Sequence, residues 1–238
     1  MAIEIQVQNQ STVLRDAALL PILTAVEAQI AEDVAPFWAN EPVKLTLVAR
    51  NQPLNPHRWQ FIVTNDSNVA GAAGYHETTA GGEPIGYAFV ETTIRAGMHP
   101  SVTISHELLE MIGDALIDQA NQWSDLPNAL FLAQELCDPV EEDALGYDKR
   151  GVLVSDFVTP EYFVPGSAGP WDFRGHLNGP WNPAAMTPGA YQLTWDPNNG
   201  WQQVFPQNRA TGRAALHTPH SRRARRMKAR QEWRQSEH

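Results

Sequence analysis

Apolar and polar residues alternate from the start of the chain, with Ile3, Ile5 and Val7 on one side, which predicts a strand over residues 3–8. The spacing then becomes helical. Ala17, Leu20, Leu23, Val26, Ile30 and Val34 recur at three- and four-residue steps, with Pro21 near the first turn or kinking it and Pro36 and Asn40 closing the helix. Val43–Ala49 and Trp59–Thr64 read as strands, the second bounded by Asn65 and Asp66. Beyond a Gly/Ala-rich stretch from Val69 to Gly82, the β-branched and aromatic run Ile85–Ile94 predicts a further strand. Pro100 and Ser101 open the best helix, 101–119, whose core face carries Val102, Leu108, Leu109, Ile112 and Leu116. A second helix is predicted over 128–138, launched by Asp125 and Pro127 and stopped by Pro139.

After a short strand, Val152–Thr159, the chain becomes rich in Pro, Gly and Trp as far as Asn208. Trp171, Trp181, Trp195 and Trp201 read there first as packing for loops and hairpins, and second as a carbohydrate or peptide platform. No internal repeat is visible. The expected organisation is a domain over 1–160, a loop-rich segment over 161–208 packed on it, and a basic, flexible tail over 209–238.

Composition narrows the class. A chain of 238 residues buries one substantial core, and 42% apolar residues with eight tryptophans suit a globular protein. The N-terminus lacks the pattern of a signal peptide, and no apolar run approaches the length of a membrane helix, so a cytoplasmic protein with no membrane partner is expected. One cysteine, Cys137, excludes an internal disulfide framework and a Cys-based zinc cage. The net charge of −10 is uneven: residues 217–238 hold seven Arg or Lys against Glu232 and Glu237, or +5. The remainder, ten basic against twenty-five acidic residues, carries −15. An acidic body disfavours nucleic-acid binding, leaving the 217–238 tail as the candidate for nucleic acid or an acidic partner.

The candidate chemistry lies in Ser105-His106-Glu107-Leu108-Leu109-Glu110. Positions i and i+4 of a helix share a face, so His106 and Glu110 can point at one cation. Glu107, rotated by about 100°, sits beside that point as a general base for water that the cation acidifies. Apolar neighbours on both sides place this polar trio in an interior, where unpaired charge is costly. The competing reading is a solvated polar face. Glu135 and Asp138 follow on the predicted second helix; one is the natural third ligand and the other an anchor for His106.

The order of elements through residue 119, with this motif helix, resembles the upper domain of zincin metallopeptidases. The segment Glu135-Leu136-Cys137-Asp138 is similar to the third-ligand helix of the gluzincin branch. The resemblance implies an α+β fold: a zincin-like mixed sheet with an edge strand, a motif helix and a third-ligand helix. It implies a Zn2+ site, though other divalent cations would fit, and hydrolysis of peptide bonds. The substrate would pair with the strand before the motif helix, here Ile85–Ile94. Gly113 also matches the metzincin pattern, but that pattern's third ligand would fall on Leu116, which binds no metal. Zincins carry His where this chain has Glu110, so the HExxE motif gives a harder, more anionic donor set.

The strings Ser105–Asp114, Glu135–Glu141 and Val154–Phe163 also resemble an uncharacterised family from phages and bacterial genomes, over roughly residues 15–200. That likeness implies no activity. It raises a second expectation: a virion-associated, catalytically inactive structural or accessory protein on a zincin scaffold. A four-helix di-metal carboxylate bundle is disfavoured, because only three helices are predicted. His76 with Glu77, His99 and His176 could each be a ligand or a substrate-side acid but read first as loop residues, and Asp114 reads as a hydrogen-bonding group for the loop or the second helix. Asp156 is either a supporting group or a turn carboxylate, Cys137 a small core group, and Tyr75, Tyr87 or Tyr147 an oxyanion donor if the fold brings one close.

Overall fold

A computed structural model describes residues 2–68, 72–125, 127–184 and 186–206. The basic tail over 217–238 lies outside the described residues. The fold is α+β, built on a mixed five-stranded sheet. Its strands are β1 (Ile3–Asn9), β2 (Val43–Val48), β3 (Trp59–Thr64), β4 (Gly74–Thr78) and β5 (Pro84–Phe89). They lie in the order β2-β1-β3-β5-β4, and all neighbours pair in parallel except β4, which runs antiparallel to β5. Helix α1 (Asp16–Gln29) continues through a π-type turn at Ile30–Val34 into the short α2 (Ala35–Trp38). Leu19, Ile22, Leu23 and Val26 of α1 join the core beside Ile5, Val7, Phe61 and Val63 of the sheet. Leu20 does not belong to that face, because it is exposed while Leu19 and Ile22 point inward.

The strand expected over Ile85–Ile94 is two elements. β5 ends at Phe89, and α3 (Val90–Arg95) begins at once. β5 is flanked by β3 and β4, so it is not the sheet edge; the edge beside the motif helix is β4. The motif helix α4 (Pro100–Gly113) is shorter than its apolar pattern. It stops where Asp114 leaves helical geometry and accepts the backbone N–H groups of Asp118 and Gln119 on Oδ1. Asp114 thus serves the loop, as expected, and Leu116 falls beyond the helix and is exposed.

The second helix is absent from this region. Leu130–Ala133 forms β7, between β6 (Ala120–Ser124) and β10 (Gln192–Asp196), and the hairpin partner β11 (Gly200–Val204) completes a four-stranded sheet. A four-residue apolar run fits either a helix or a strand locally, and here a ladder to β10 decides it. Glu135 therefore sits on a loop, and Asp138 opens a single 3-10 turn (Asp138–Val140). A short hairpin, β8 (Tyr147–Lys149) and β9 (Val152–Val154), follows. Trp171 and Trp181 pack on a cluster around Leu132, Val158 and Tyr162, while Trp195 and Trp201 pack with Ala133 and Leu193. The tryptophans are packing residues, as their context suggested. No helix among the described residues is long and apolar enough to cross a membrane.

Candidate metal centre

The local sequence builds the centre in two pieces: a rigid helix, and a loop pressed onto its last turns. Ser105 Oγ accepts the Ser155 N–H at 2.7 Å and so fixes α4 against the chain leaving β9. Gly113 lets the loop come close, since a Cβ there would lie 2.3 Å from Leu136 Cδ1. The side-chain amide of Gln134 donates to the Gly113 carbonyl at 2.7 Å. The strongest tie is Glu110, fully buried. Its Oε2 accepts the Leu136 N–H at 3.0 Å, and its Oε1 accepts those of Cys137 at 2.8 Å and Asp138 at 3.1 Å.

This docking brings Asp138 to His106. His106 Nε2 lies 3.1 Å from Asp138 Oδ1 and 3.8 Å from Glu110 Oε1. Among the described residues, ligand atoms of His106, Glu110 and Asp138 lie within 4.8 Å of one another, all three side chains are buried, and together they could hold a metal ion. Donors on a common tetrahedral zinc ion, with bonds near 2.1 Å, lie about 3.4 Å apart, and the two measured separations straddle that value. Glu135 is equally buried but stands outside this trio, so Asp138 is the third member.

The electrostatics favour positive charge at this point. Burial works against a charged His106, yet the hydrogen bond to Asp138 and the charges of Glu107 and Glu141 outweigh it and hold the imidazole above its ordinary pKa. Several carboxylates thus crowd one imidazole in the interior, where uncompensated charge costs several kcal/mol. Tyr162, which the sequence reading missed, adds a second sign. Its ring is buried and its hydroxyl has no hydrogen-bond partner among the described residues. Burial, and after it the charge of Asp138, push its phenol up. Buried polar groups are rarely left unpaired, so a ligand at this point would complete the hydroxyl. Nothing local in the sequence marks Tyr162, because the link to Asp138 is tertiary.

Glu107 lies outside the trio and against the sheet edge. A Cβ at Gly74 would meet Glu107 Cγ at 2.5 Å and the Tyr87 carbonyl oxygen at 2.7 Å, so only glycine leaves room for this side chain under β4. His76, expected on a loop, is buried on β4 with Nε2 2.9 Å from the Asp114 carbonyl oxygen, where it donates. β4 is therefore tied to α4 at two points. His99 sits just before α4, its N–H on Asp143. Tyr75 and Tyr87 pack on each other and Tyr147 donates to Asp33. Cys137 is a buried core thiol, as expected. Asp156 pairs with His176 at 3.0 Å, away from His106; burial and the neighbouring Asp172 push its carboxyl up to about 9.

No protein-family model, curated protein or solved structure matches the chain. The functional reading therefore rests on the residues themselves.

Proposed function

We propose that this protein is a divalent-cation-dependent hydrolase of peptide bonds with a zincin-like arrangement. His106, Glu110 and Asp138 would hold the ion, zinc being the best match to one imidazole nitrogen and two carboxylates. Bound there, the cation supplies Lewis acidity that lowers the pKa of water towards neutrality. Glu107 would take the proton from that water, and the Tyr162 hydroxyl would donate to the developing oxyanion. An extended peptide would pair along the outer edge of β4, which has no further strand beside it among the described residues. One observation carries the reading: the Glu107 side chain packs against Gly74 of that edge strand, one residue along the motif helix from His106, on whose imidazole its charge acts. The place of the general base is thus next to both the cation trio and the strand a substrate would join.

The test is Glu107→Gln assayed on a peptide library, with bound metal measured by elemental analysis. The proposal expects metal to be retained and cleavage lost. Equal cleavage by both proteins, or equal inertness, overturns catalysis.

A second reading is supported by the burial of the trio and by the three backbone N–H groups that already occupy the Glu110 carboxylate. On it, the chain is a phage-derived accessory protein in which the cluster serves stability, and chelation lowers the melting temperature while removing no activity. The nucleic-acid or acidic partner of that reading would belong to the 217–238 tail.

A further inference from the structure

A second set of donors converges some distance along the chain, on the loop after β9. Asp156 lies on that loop, and Asp172 is brought beside it by an antiparallel bridge between Val158 and Asp172. His176 follows four residues later. Its Nδ1 lies 3.0 Å from Asp156 Oδ2 and 3.5 Å from Asp172 Oδ2, and the three ligand atoms fall within 4.8 Å of one another. These separations again bracket the roughly 3.4 Å between donors on one small divalent ion.

The two carboxylates are fully buried. Among the described residues, neither has a Lys or Arg within ion-pair reach, and the imidazole is the partner both share. The nearby Arg174 guanidinium lies over the Tyr147 ring instead, 5.5 Å from its centroid. Two buried carboxylates set side by side are costly to ionise together, and a cation joining them would relieve that cost. Backbone donors hold both groups. Asp156 Oδ1 accepts the Phe157 N–H and leaves Oδ2 towards the imidazole. Asp172 Oδ1 accepts the Leu177 N–H, and its Oδ2 accepts the His176 N–H as well as facing the imidazole nitrogen. Unlike His106, His176 is about one-third exposed, so this point is reachable from solvent.

We infer that Asp156, Asp172 and His176 form a second divalent-cation site, open to solvent on the His176 side. The imidazole donor selects an ion such as Zn2+ or Mn2+ over Ca2+ or Mg2+, which prefer all-oxygen shells. Its open side leaves coordination positions for water or an anionic ligand. The inference does not depend on the His106 centre, since the two donor sets share no residue.

The full-length protein, stripped of metal and checked by circular dichroism, would be titrated with Zn2+ alone against a chromophoric competitor. His106→Ala, which removes the other trio, isolates this site. The expected result is one equivalent bound by His106→Ala, with that equivalent lost in both His106→Ala/His176→Ala and His106→Ala/Asp156→Asn while the fold is kept. If the equivalent survives His176→Ala, or disappears with His176→Ala yet survives Asp156→Asn, the ion belongs to a surface histidine and the site does not exist. A folded His106→Ala protein that binds no Zn2+ overturns the inference equally.

Discussion

Replacing Glu110 by alanine is the most informative single perturbation of the centre, because the side chain is both a loop anchor and a proposed ligand. In its absence the N–H groups of Leu136, Cys137 and Asp138, all on fully buried residues, lose their acceptor. Each orphaned buried donor costs about 1–3 kcal/mol. Three together give about 3–9 kcal/mol, and relaxation of the loop brings the expectation to the lower half, about 3–5 kcal/mol. Against a total domain stability of about 5–15 kcal/mol, that loss is severe. Glu110→Gln keeps one carbonyl for Cys137 and Asp138 but sets its NH2 against the Leu136 N–H, so a smaller loss of about 1–3 kcal/mol is expected. The assay is urea unfolding followed by tryptophan fluorescence in the presence of EDTA, which removes any metal contribution. If Glu110→Ala unfolds within 1 kcal/mol of the parent under EDTA, the anchoring argument is wrong. If the two separate only when Zn2+ is present, ligation rather than loop anchoring is the first task of Glu110.

Gly74→Ala should displace Glu107, whose Cγ would lie 2.5 Å from the new Cβ; a loss of about 1–3 kcal/mol in melting experiments is expected, together with loss of any peptide cleavage. Gly113→Ala should push Leu136 away and weaken metal binding, and Leu136→Ala in the same chain should restore part of it, as a double-mutant titration with Zn2+ would read. Stability should fall steeply above pH 10. Burial pushes the Tyr147 phenol up, as does its bond to Asp33, and the salt links to Asp33 and Glu32 hold Lys149 above its ordinary pKa against a desolvation penalty. Both groups keep protons in the folded protein that the unfolded chain releases from about pH 10, so stability is full below that pH. It is lost as pH rises, by at most about 2.7 kcal/mol per unit when both groups act; urea midpoints at pH 9 and 11 measure it, and Asp33→Asn should flatten the slope.

The local parts of this architecture were legible because their causes are local. The alternation at Ile3, Ile5 and Val7 and the apolar periodicity after Asp16 follow from strand and helix repeats, and β1 and α1 form there. The convergence of His106 and Glu110 needs only the geometry of one helical turn. What failed depended on distant partners. Residues 130–133 became a strand because β10, some sixty residues later, pairs with them, and the same ladder moved Glu135 off a helix face. Ile85–Ile94 was misread because β-branched and aromatic residues continue past Phe89 into α3, where burial of Val90 and Thr93 outweighs their strand preference. Tyr162 carries no local signal at all. The Asp172–His176 pair did carry one, a carboxylate and an imidazole four residues apart, but its third member Asp156 is joined through a bridge that only the fold supplies.

The two donor sets lie on segments joined by a backbone hydrogen bond. The Leu136 carbonyl accepts the Val158 N–H at 2.7 Å, which ties the loop that carries Asp138 to the segment that carries Asp156. Cys137 lies in that seam. Burial, then the charges of Glu110, Asp138 and Asp156, push its thiol well up, against a lowering hydrogen bond to Ser155. Cys137 stands outside both donor sets. Its position instead makes it a reporter. A cation bound at either cluster offsets the negative field at Cys137 and lowers the thiol pKa, whereas an ion bound elsewhere on the surface is screened within about 8–10 Å. The thiolate absorbance read below about pH 10, where the fold is kept, in the stripped and Zn2+-loaded full-length protein therefore distinguishes ions held at these clusters from ions held at exposed histidines.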